Sequence, residues 1–185
     1  METESKVFYG AEIDWFLVSK AIMFYTNNGY EYIEVPWIVS LEAIRSTFDG
    51  EPLKSKEGCL VGSAEQSFVQ MMIDGKLKAG RYIAATPCFR NEIYDNTHFP
   101  YFFKLELIHF LEKSLDDCIC LSASFFNRYT SVSVVDTNIG KDLYVNDIEV
   151  GSYGVREFGK FYWTYGTGLA EPRFSIAVGN RNILT

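Results

Sequence analysis

The stretch ATPCFRNEIYDNTHFPYFFKLELIHF, residues 85–110, decides the fold prediction. It is typical of two strands joined by a nine-residue connection, because two apolar runs flank a polar middle. Side chains alternate between the faces of a strand, so Arg90 and Glu92 share one face, as do Lys104 and Glu106 on the second strand. Each strand therefore has an apolar and a charged face, which is the pattern of an antiparallel sheet with one open face.

The charged face has two interpretations that this pattern alone does not separate. One is a solvated surface with scattered ion pairs, each contributing about 0–1 kcal/mol. The other is a binding site. Phe102, on the same face as Lys104, favours a site, because a large aromatic ring gains little from water but can stack on a planar base.

The rest of the chain predicts helices and further strands around this pair. Amphipathic spacing indicates a helix over residues 11–28, and Ser63 and Ser114 are expected to cap helices over residues 63–74 and 114–129. A surface loop is predicted at residues 45–58. The order of elements predicts an α+β fold, a mostly antiparallel sheet flanked by helices, in one domain over residues 1–185.

Composition narrows the class of function. The net charge of −7 argues against a broad basic face for nucleic acid. The sequence contains no run of 18 apolar residues, so no membrane span is predicted. The polar start METESKVFYG does not resemble a secretory signal, and a cytoplasmic protein is therefore expected. The four cysteines contain no C-x-x-C pair and are expected to be free thiols.

Two later segments carry candidate binding residues. The sequence GTGLAEPR, residues 166–173, predicts a glycine turn before a helix, where Arg173 could bind phosphate. Glu149 and Ser152 offer hard oxygen ligands for Mg²⁺. Each signal is weak by itself, because most glycine turns and most glutamates bind no ligand.

Three segments, in this order, resemble the signature motifs of class II aminoacyl-tRNA synthetases. Residues 29–36, after a long helix, resemble motif 1, whose proline lies near the dimer interface in that family. FRNE at 89–92, with its loop and Phe102, resembles motif 2, and residues 166–173 resemble motif 3. Among the subgroups the seryl-tRNA synthetases are the most similar, through SAE at 63–65, F-x-K-x-E at 102–106 and E-V-x-S at 149–152.

The resemblance implies an ATP site. Arg90 would hold the α-phosphate and, with Arg173, would supply the catalytic charge. Glu92 would contact the adenine amino group. Phe102 would stack on adenine with Arg173 on the other side, near the γ-phosphate, and His98 would also contact the γ-phosphate.

The resemblance also implies a metal and an amino-acid site. Glu149 and Ser152 would bind Mg²⁺. Ser63, Glu65 and Glu106 would line the amino-acid pocket, with Glu65 facing the α-amino group. Ser63 and Glu65 can equally be a helix cap and a first-turn acid, and the two roles are compatible.

The sequence also departs from the family's pattern. Parts that read tRNA are not expected, the motif 2 loop at residues 93–101 is short, and Tyr153-Gly154-Val155 replaces the Cys-Ser-Asn of seryl enzymes. Serine is therefore not expected as the substrate, and tRNA binding is doubtful.

Three hypotheses follow from the resemblance and its departures. The first is an adenylate-forming ligase that activates an amino acid with ATP and Mg²⁺ and passes it to an acceptor other than whole tRNA. The second is a catalytically silent paralogue that acts as a ligand- or protein-binding regulatory module. The third is a minimal synthetase core that needs a partner chain. A homodimer through the motif 1 region is expected.

Overall fold

The computed structural model describes residues 12–91 and 99–179. In chain order these residues form α1 (Trp15–Thr26), β1 (Glu31–Tyr32), β2 (Ile38–Val39), α2 (Leu41–Arg45), β3 (Cys59–Leu60), α3 (Ala64–Ile73), β4 (Gly80–Phe89), β5 (Tyr101–Phe110), α4 (Leu115–Phe126), β6 (Ser133–Asp136), β7 (Gly140–Val145), β8 (Ile148–Phe158), β9 (Phe161–Glu171) and α5 (Arg173–Ala177). None of the helices in this part of the chain is long and apolar enough to cross a membrane.

Seven of the strands form one sheet in the order β1-β4-β5-β9-β8-β7-β6. Only β1 pairs in parallel, with β4, and the other neighbours are antiparallel. The strand pair predicted from residues 85–110 is β4 and β5, whose ladder runs from Gly80 opposite Phe110 to Phe89 opposite Tyr101. The predicted fold class, a mostly antiparallel sheet flanked by helices, is confirmed.

The two faces of the sheet are covered differently. On one face α1, α4 and α5 pack against β8 and β9, and buried residues such as Tyr25, Phe125 and Tyr153 fill the space between them. On the other face α3 covers the end of β5 near Ile108, with Phe68 in the same core. The remainder of that second face carries the polar side chains and borders a cavity.

The sequence YEYIEVPWIV, residues 30–39, predicts a single strand around Pro36, and the structure differs from this prediction. Two short strands flank Pro36 instead, since β1 joins the large sheet and β2 pairs with β3 in a separate two-stranded sheet. A proline has no N–H to donate to a strand ladder, so the pairing changes partner at this residue. The predicted loop at residues 45–58 also contains local structure, with a bridge between Lys54 and Cys59.

The caps of α3 and α4 are only partly as predicted. Ser63 caps α3 by accepting a hydrogen bond from the Glu65 N–H at 3.2 Å, but Gln66 accepts from the Gly62 N–H and so does not complete a capping box. Ser114 starts α4 without a side-chain cap, because its hydroxyl contacts Nδ1 of the buried His109.

The glycine turn predicted at residues 166–168 is wrong, because this segment lies inside β9. The glycines serve close packing against the helical side of the sheet. A Cβ at Gly166 would lie 2.5 Å from Cδ1 of Tyr153 and 2.7 Å from Sγ of Cys118, and one at Gly168 would lie 3.0 Å from Cε2 of Tyr25. These glycines therefore fit the core behind the cavity rather than a ligand in front of it.

We expect Gly166→Ala to destabilise the fold by about 1–3 kcal/mol, because the added methyl overpacks the core between β8, β9 and α4. Urea denaturation followed by circular dichroism measures the change. Gly62→Ala is the matched control, since its Cβ would meet nothing nearer than 3.4 Å, and its effect should stay within about 0.5 kcal/mol. An unchanged midpoint for Gly166→Ala would contradict the packing role.

Candidate active site

A cavity of about 460 Å³ opens on the uncovered face of the sheet. Its walls come from β4, β5, β8 and β9, from the start of α3, and from residues 47–53, which the sequence predicted as surface loop. The volume lies within the range of small-molecule sites. The sequence thus located the open face correctly but did not indicate that residues 47–53 wall the cavity.

The cavity collects most of the residues that the sequence singled out. Of the ten candidates, Glu92 and His98 lie outside the described residues. Seven of the other eight line the cavity: Ser63, Glu65, Arg90, Phe102, Glu149, Ser152 and Arg173. The eighth, Glu106, is fully buried, and contacts Ser63 and Lys104, which both line it.

One end of the cavity is built around the ring of Phe102. The guanidinium carbon of Arg90 lies 5.4 Å from the ring centroid, and that of Arg173 lies 5.9 Å from it. Arg90 is held in place, because its Nε donates to the Gly62 carbonyl at 3.3 Å and its backbone N–H donates to Pro100 at 2.9 Å. Two cations and an aromatic ring therefore meet at this end.

Glu149 and Ser152 reach the same cavity because of a bulge. Residues three apart on a regular strand point to opposite faces. The pairing of β7 with β8 shifts register between Leu143 and Tyr144, so the buried Val150 is the extra residue of β8. The carboxylate of Glu149 also lies 3.8 Å from Nη1 of Arg173.

The middle of the cavity contains a buried ion pair. The carboxylate of Glu106 is fully buried, and Nζ of Lys104 lies 2.9 Å from its Oε2 and 3.1 Å from its Oε1. Ser63 donates its hydroxyl to the same carboxylate. A buried carboxylate is stable only with such partners, since an unpaired charge in the interior is costly.

The other end is formed by a second buried acid, Glu65. Its Oε1 accepts a hydrogen bond from Nε1 of Trp163 at 2.7 Å and lies 3.1 Å from Nε of Arg156. Burial raises the pKa of Glu65 to about 7, and the nearby Glu106 adds to the increase, while Arg156 and Trp163 oppose it. This carboxyl therefore changes its charge near neutral pH.

Several cavity residues were missed by the sequence reasoning. They are Arg156, Tyr165 and Thr167, whereas the sequence already places Lys104 on the charged face of β5. Alternation on β8 could have identified Arg156. It lies four residues after Ser152 and two after Gly154, so all three share one face of the strand. Tyr165 carried no signal in the sequence, and Thr167 lies in the segment that was predicted as a glycine turn, so neither residue was expected on the polar face of a strand.

Two comparisons with known proteins gave no match: the sequence matches no protein-family model and no curated protein significantly. Solved structures do match. Two structures of the pyrrolysyl-tRNA synthetase from Desulfitobacterium hafniense superpose with a TM-score of 0.68 at 16% identity, over 87% of this chain and 67% of theirs. The similarity to the seryl subgroup stays a prediction. The fold is that of class II aminoacyl-tRNA synthetase catalytic domains.

Proposed function

We propose that the chain is an adenylate-forming ligase that activates an amino acid with ATP and Mg²⁺. The observation that carries the proposal is one continuous cavity with an aromatic ring beside two arginines at one end and a buried carboxyl at the other. The first end suits a nucleotide, and the second suits the ammonium of an amino acid. Residues 1–185 are proposed to act as one catalytic domain.

Phe102 is proposed to stack on adenine, with Arg173 covering the opposite face of the base. A base between the two groups needs roughly 7 Å, twice the optimal contact distance, whereas Arg173 lies 5.9 Å from the ring. Arg173 must therefore move outward by roughly 1 Å. The side chain of Arg173 is partly exposed, and its Nη1 lies 3.8 Å from the carboxylate of Glu149, which is longer than a hydrogen bond. This movement therefore breaks no close contact with Glu149.

Arg90 is proposed to bind the α-phosphate. A carboxylate oxygen of the amino acid attacks the α-phosphorus, the bond from phosphorus to the bridging oxygen breaks, and pyrophosphate leaves. This step needs positioning and neutralisation of negative charge rather than a general base. The contacts of Arg90 with Gly62 and Phe102 hold the guanidinium before substrate binds, and Glu92 and His98 stay predictions.

Glu149 and Ser152 fit a magnesium site, because Mg²⁺ commonly takes one or two carboxylates and completes its shell with phosphates and water. Among residues 12–91 and 99–179 no three His, Cys, Asp or Glu side chains cluster as a metal site, so phosphates would complete the shell. The ion would neutralise charge on the phosphates. Ser152 is positioned by its backbone N–H, which donates to Thr167 at 3.3 Å.

Glu65 is proposed to bind the α-ammonium of the amino acid. A cation beside this buried carboxyl restores its charged form, which burial disfavours. Glu106 is proposed to position Ser63 and Lys104 beside the amino acid. The chain has 24 acidic and 17 basic residues, and this negative net charge supports an acceptor other than whole tRNA. A cytoplasmic location is also proposed.

The proposed chemistry is tested by amino-acid-dependent ATP–pyrophosphate exchange over a panel of amino acids. We expect exchange with at least one of them, and Arg90→Ala should lower kcat by about 100-fold, because one donor to the developing charge is lost. Arg128→Ala is the control, since Arg128 is exposed and stacks on Phe24 on the opposite face of the sheet. Exchange with no amino acid would favour the silent-paralogue hypothesis, and efficient charging of tRNA would favour the minimal synthetase.

The role of Glu65 predicts a pH dependence for amino-acid binding. With a pKa of about 7, the carboxyl is mostly protonated at pH 6 and mostly ionised at pH 8. The ammonium binds the ionised form, so KM for the amino acid should fall about five- to tenfold between these values, while KM for ATP changes little. In Glu65→Gln, KM should be high and independent of pH. A flat profile in the wild type would contradict the assignment.

We also propose a homodimer through the motif 1 region. Helix α1 exposes three large apolar side chains, Trp15, Phe16 and Met23, and Trp37 is exposed after Pro36. Phe16→Glu should shift the protein from dimer to monomer in sedimentation velocity, because a charge would be buried in the interface. Val134→Glu, at an exposed apolar position on β6, should leave the dimer intact. A monomeric wild type would contradict this proposal.

A further inference from the structure

Arg156 is a charged residue of the cavity to which the proposed reaction gives no role. It lies on β8, and its guanidinium carbon is 4.7 Å from the ring centroid of Tyr165, on which it stacks. Gly154 makes room for that ring, because a Cβ there would lie 2.6 Å from the Tyr165 hydroxyl. The aromatic platform therefore fixes the orientation of the guanidinium from one side.

The guanidinium of Arg156 has N–H donors that a ligand could use. Arginine carries five N–H groups in a planar fork. Its nearest acceptor is Oε1 of Glu65, 3.1 Å from Nε, but the N–H is not directed at this oxygen, which already accepts from Trp163. Within the described parts of the chain, Nε of Arg156 is buried and forms no hydrogen bond. The Arg156 side chain is 32% exposed and lines the cavity, so a ligand can reach it.

The position of Arg156 separates it from the nucleotide. Arg156 pairs with Trp163 on β9, which pairs with Phe110 on β5, whereas Phe102 lies beside Phe103 at the opposite end of that strand. Seven residues of strand separate Phe103 from Phe110, or roughly 25 Å along the backbone. The guanidinium reaches back along the sheet to Tyr165, which pairs with Ile108, so it lies beside Glu65 and next to any ammonium group that Glu65 binds.

Charge balance then selects the class of side chain. From its middle to the end formed by Glu65, the cavity sets Glu65 and Glu106 against Lys104 and Arg156, and these four charges sum to zero when all are ionised. The α-ammonium of a bound amino acid raises the sum to +1, because its α-carboxylate is balanced separately at Arg90. A carboxylate on the side chain returns the sum to zero, an apolar side chain leaves it at +1, and a cationic side chain raises it to +2.

We propose that the cavity selects an acidic amino acid, whose side-chain carboxylate is bound by the fork of Arg156. Two parallel hydrogen bonds from a guanidinium to a carboxylate give both strength and geometric selection. Lys104 is a poorer candidate for this role, because both oxygens of Glu106 already hold its ammonium at 2.9 and 3.1 Å. The inference rests on the proposed function and specifies its substrate.

The test compares each acid with its carboxamide, which has nearly the same shape. ATP–pyrophosphate exchange is measured with aspartate, asparagine, glutamate and glutamine on the wild type, Arg156→Gln and Arg156→Lys. We expect the wild type to prefer one acid over its amide by at least about tenfold in kcat/KM, and Arg156→Gln to reduce that ratio by at least about tenfold. Arg128→Gln, which removes an exposed stacked guanidinium, should leave the ratio unchanged.

The ratio separates selection from a structural role. Loss of stability, or of the ammonium site at Glu65, would affect acid and amide alike and leave the ratio unchanged. Arg156→Lys keeps the charge beside Glu65 and supplies the comparison if Arg156→Gln fails to fold. This inference alone is overturned if the wild type prefers neutral or cationic amino acids. It is also overturned if the acid-to-amide ratio of kcat/KM is the same in the wild type and in the Arg156 variants. Exchange with none of the twenty amino acids overturns the proposed function as well.

Discussion

The buried carboxylate of Glu106 is the contact on which the arrangement of the site depends. It lies in the centre of the sheet, and its partners come from two elements: Lys104 from the same strand and Ser63 from the start of α3. Ser63 also caps that helix through the Glu65 N–H. One carboxylate therefore fixes the helix start against the sheet, and with it the position of Glu65. Without Glu106, Lys104 would be a poorly exposed cation with no partner among the described residues, and α3 would lose its polar tie to β5.

The opposite face of the sheet contributes to the site through the backbone. Pairing between β5 and β9 shifts register next to Glu106, and an irregularity of this kind leaves backbone groups without ladder partners. Two buried tyrosines from the helix-covered face donate hydrogen bonds to backbone carbonyls of β9 next to this shift. Tyr153 donates to the Thr167 carbonyl at 2.6 Å and Tyr25 donates to the Gly168 carbonyl at 2.9 Å. The core thus supports the bulge of β9 next to Thr167, which lines the cavity.

The features that the sequence predicted correctly are those that local periodicity determines. The features that it missed depend on the pairing register between strands. Alternation along β4 and β5 correctly predicted a strand pair with one polar face, because that pattern needs no information from distant residues. The glycines near residue 166 were misread, since a glycine in a turn and one under a tyrosine look alike in sequence. Arg156 was overlooked because its importance arises from Tyr165 and Glu65, which only the three-dimensional pairing brings beside it.

Fold stability alone does not explain the charges of the cavity. Replacing a buried ion pair with well-packed apolar residues is often neutral or stabilising, so Glu106 with Lys104 and Glu65 with Arg156 contribute little that an apolar core could not. The four charges also do not satisfy one another completely, since the buried Nε of Arg156 forms no hydrogen bond with residues 12–91 or 99–179. Half-satisfied polar networks are less stable than apolar ones, whereas a zwitterionic ligand with an acidic side chain supplies the missing partners. The proposed acidic amino acid would therefore account for the presence of these four charges.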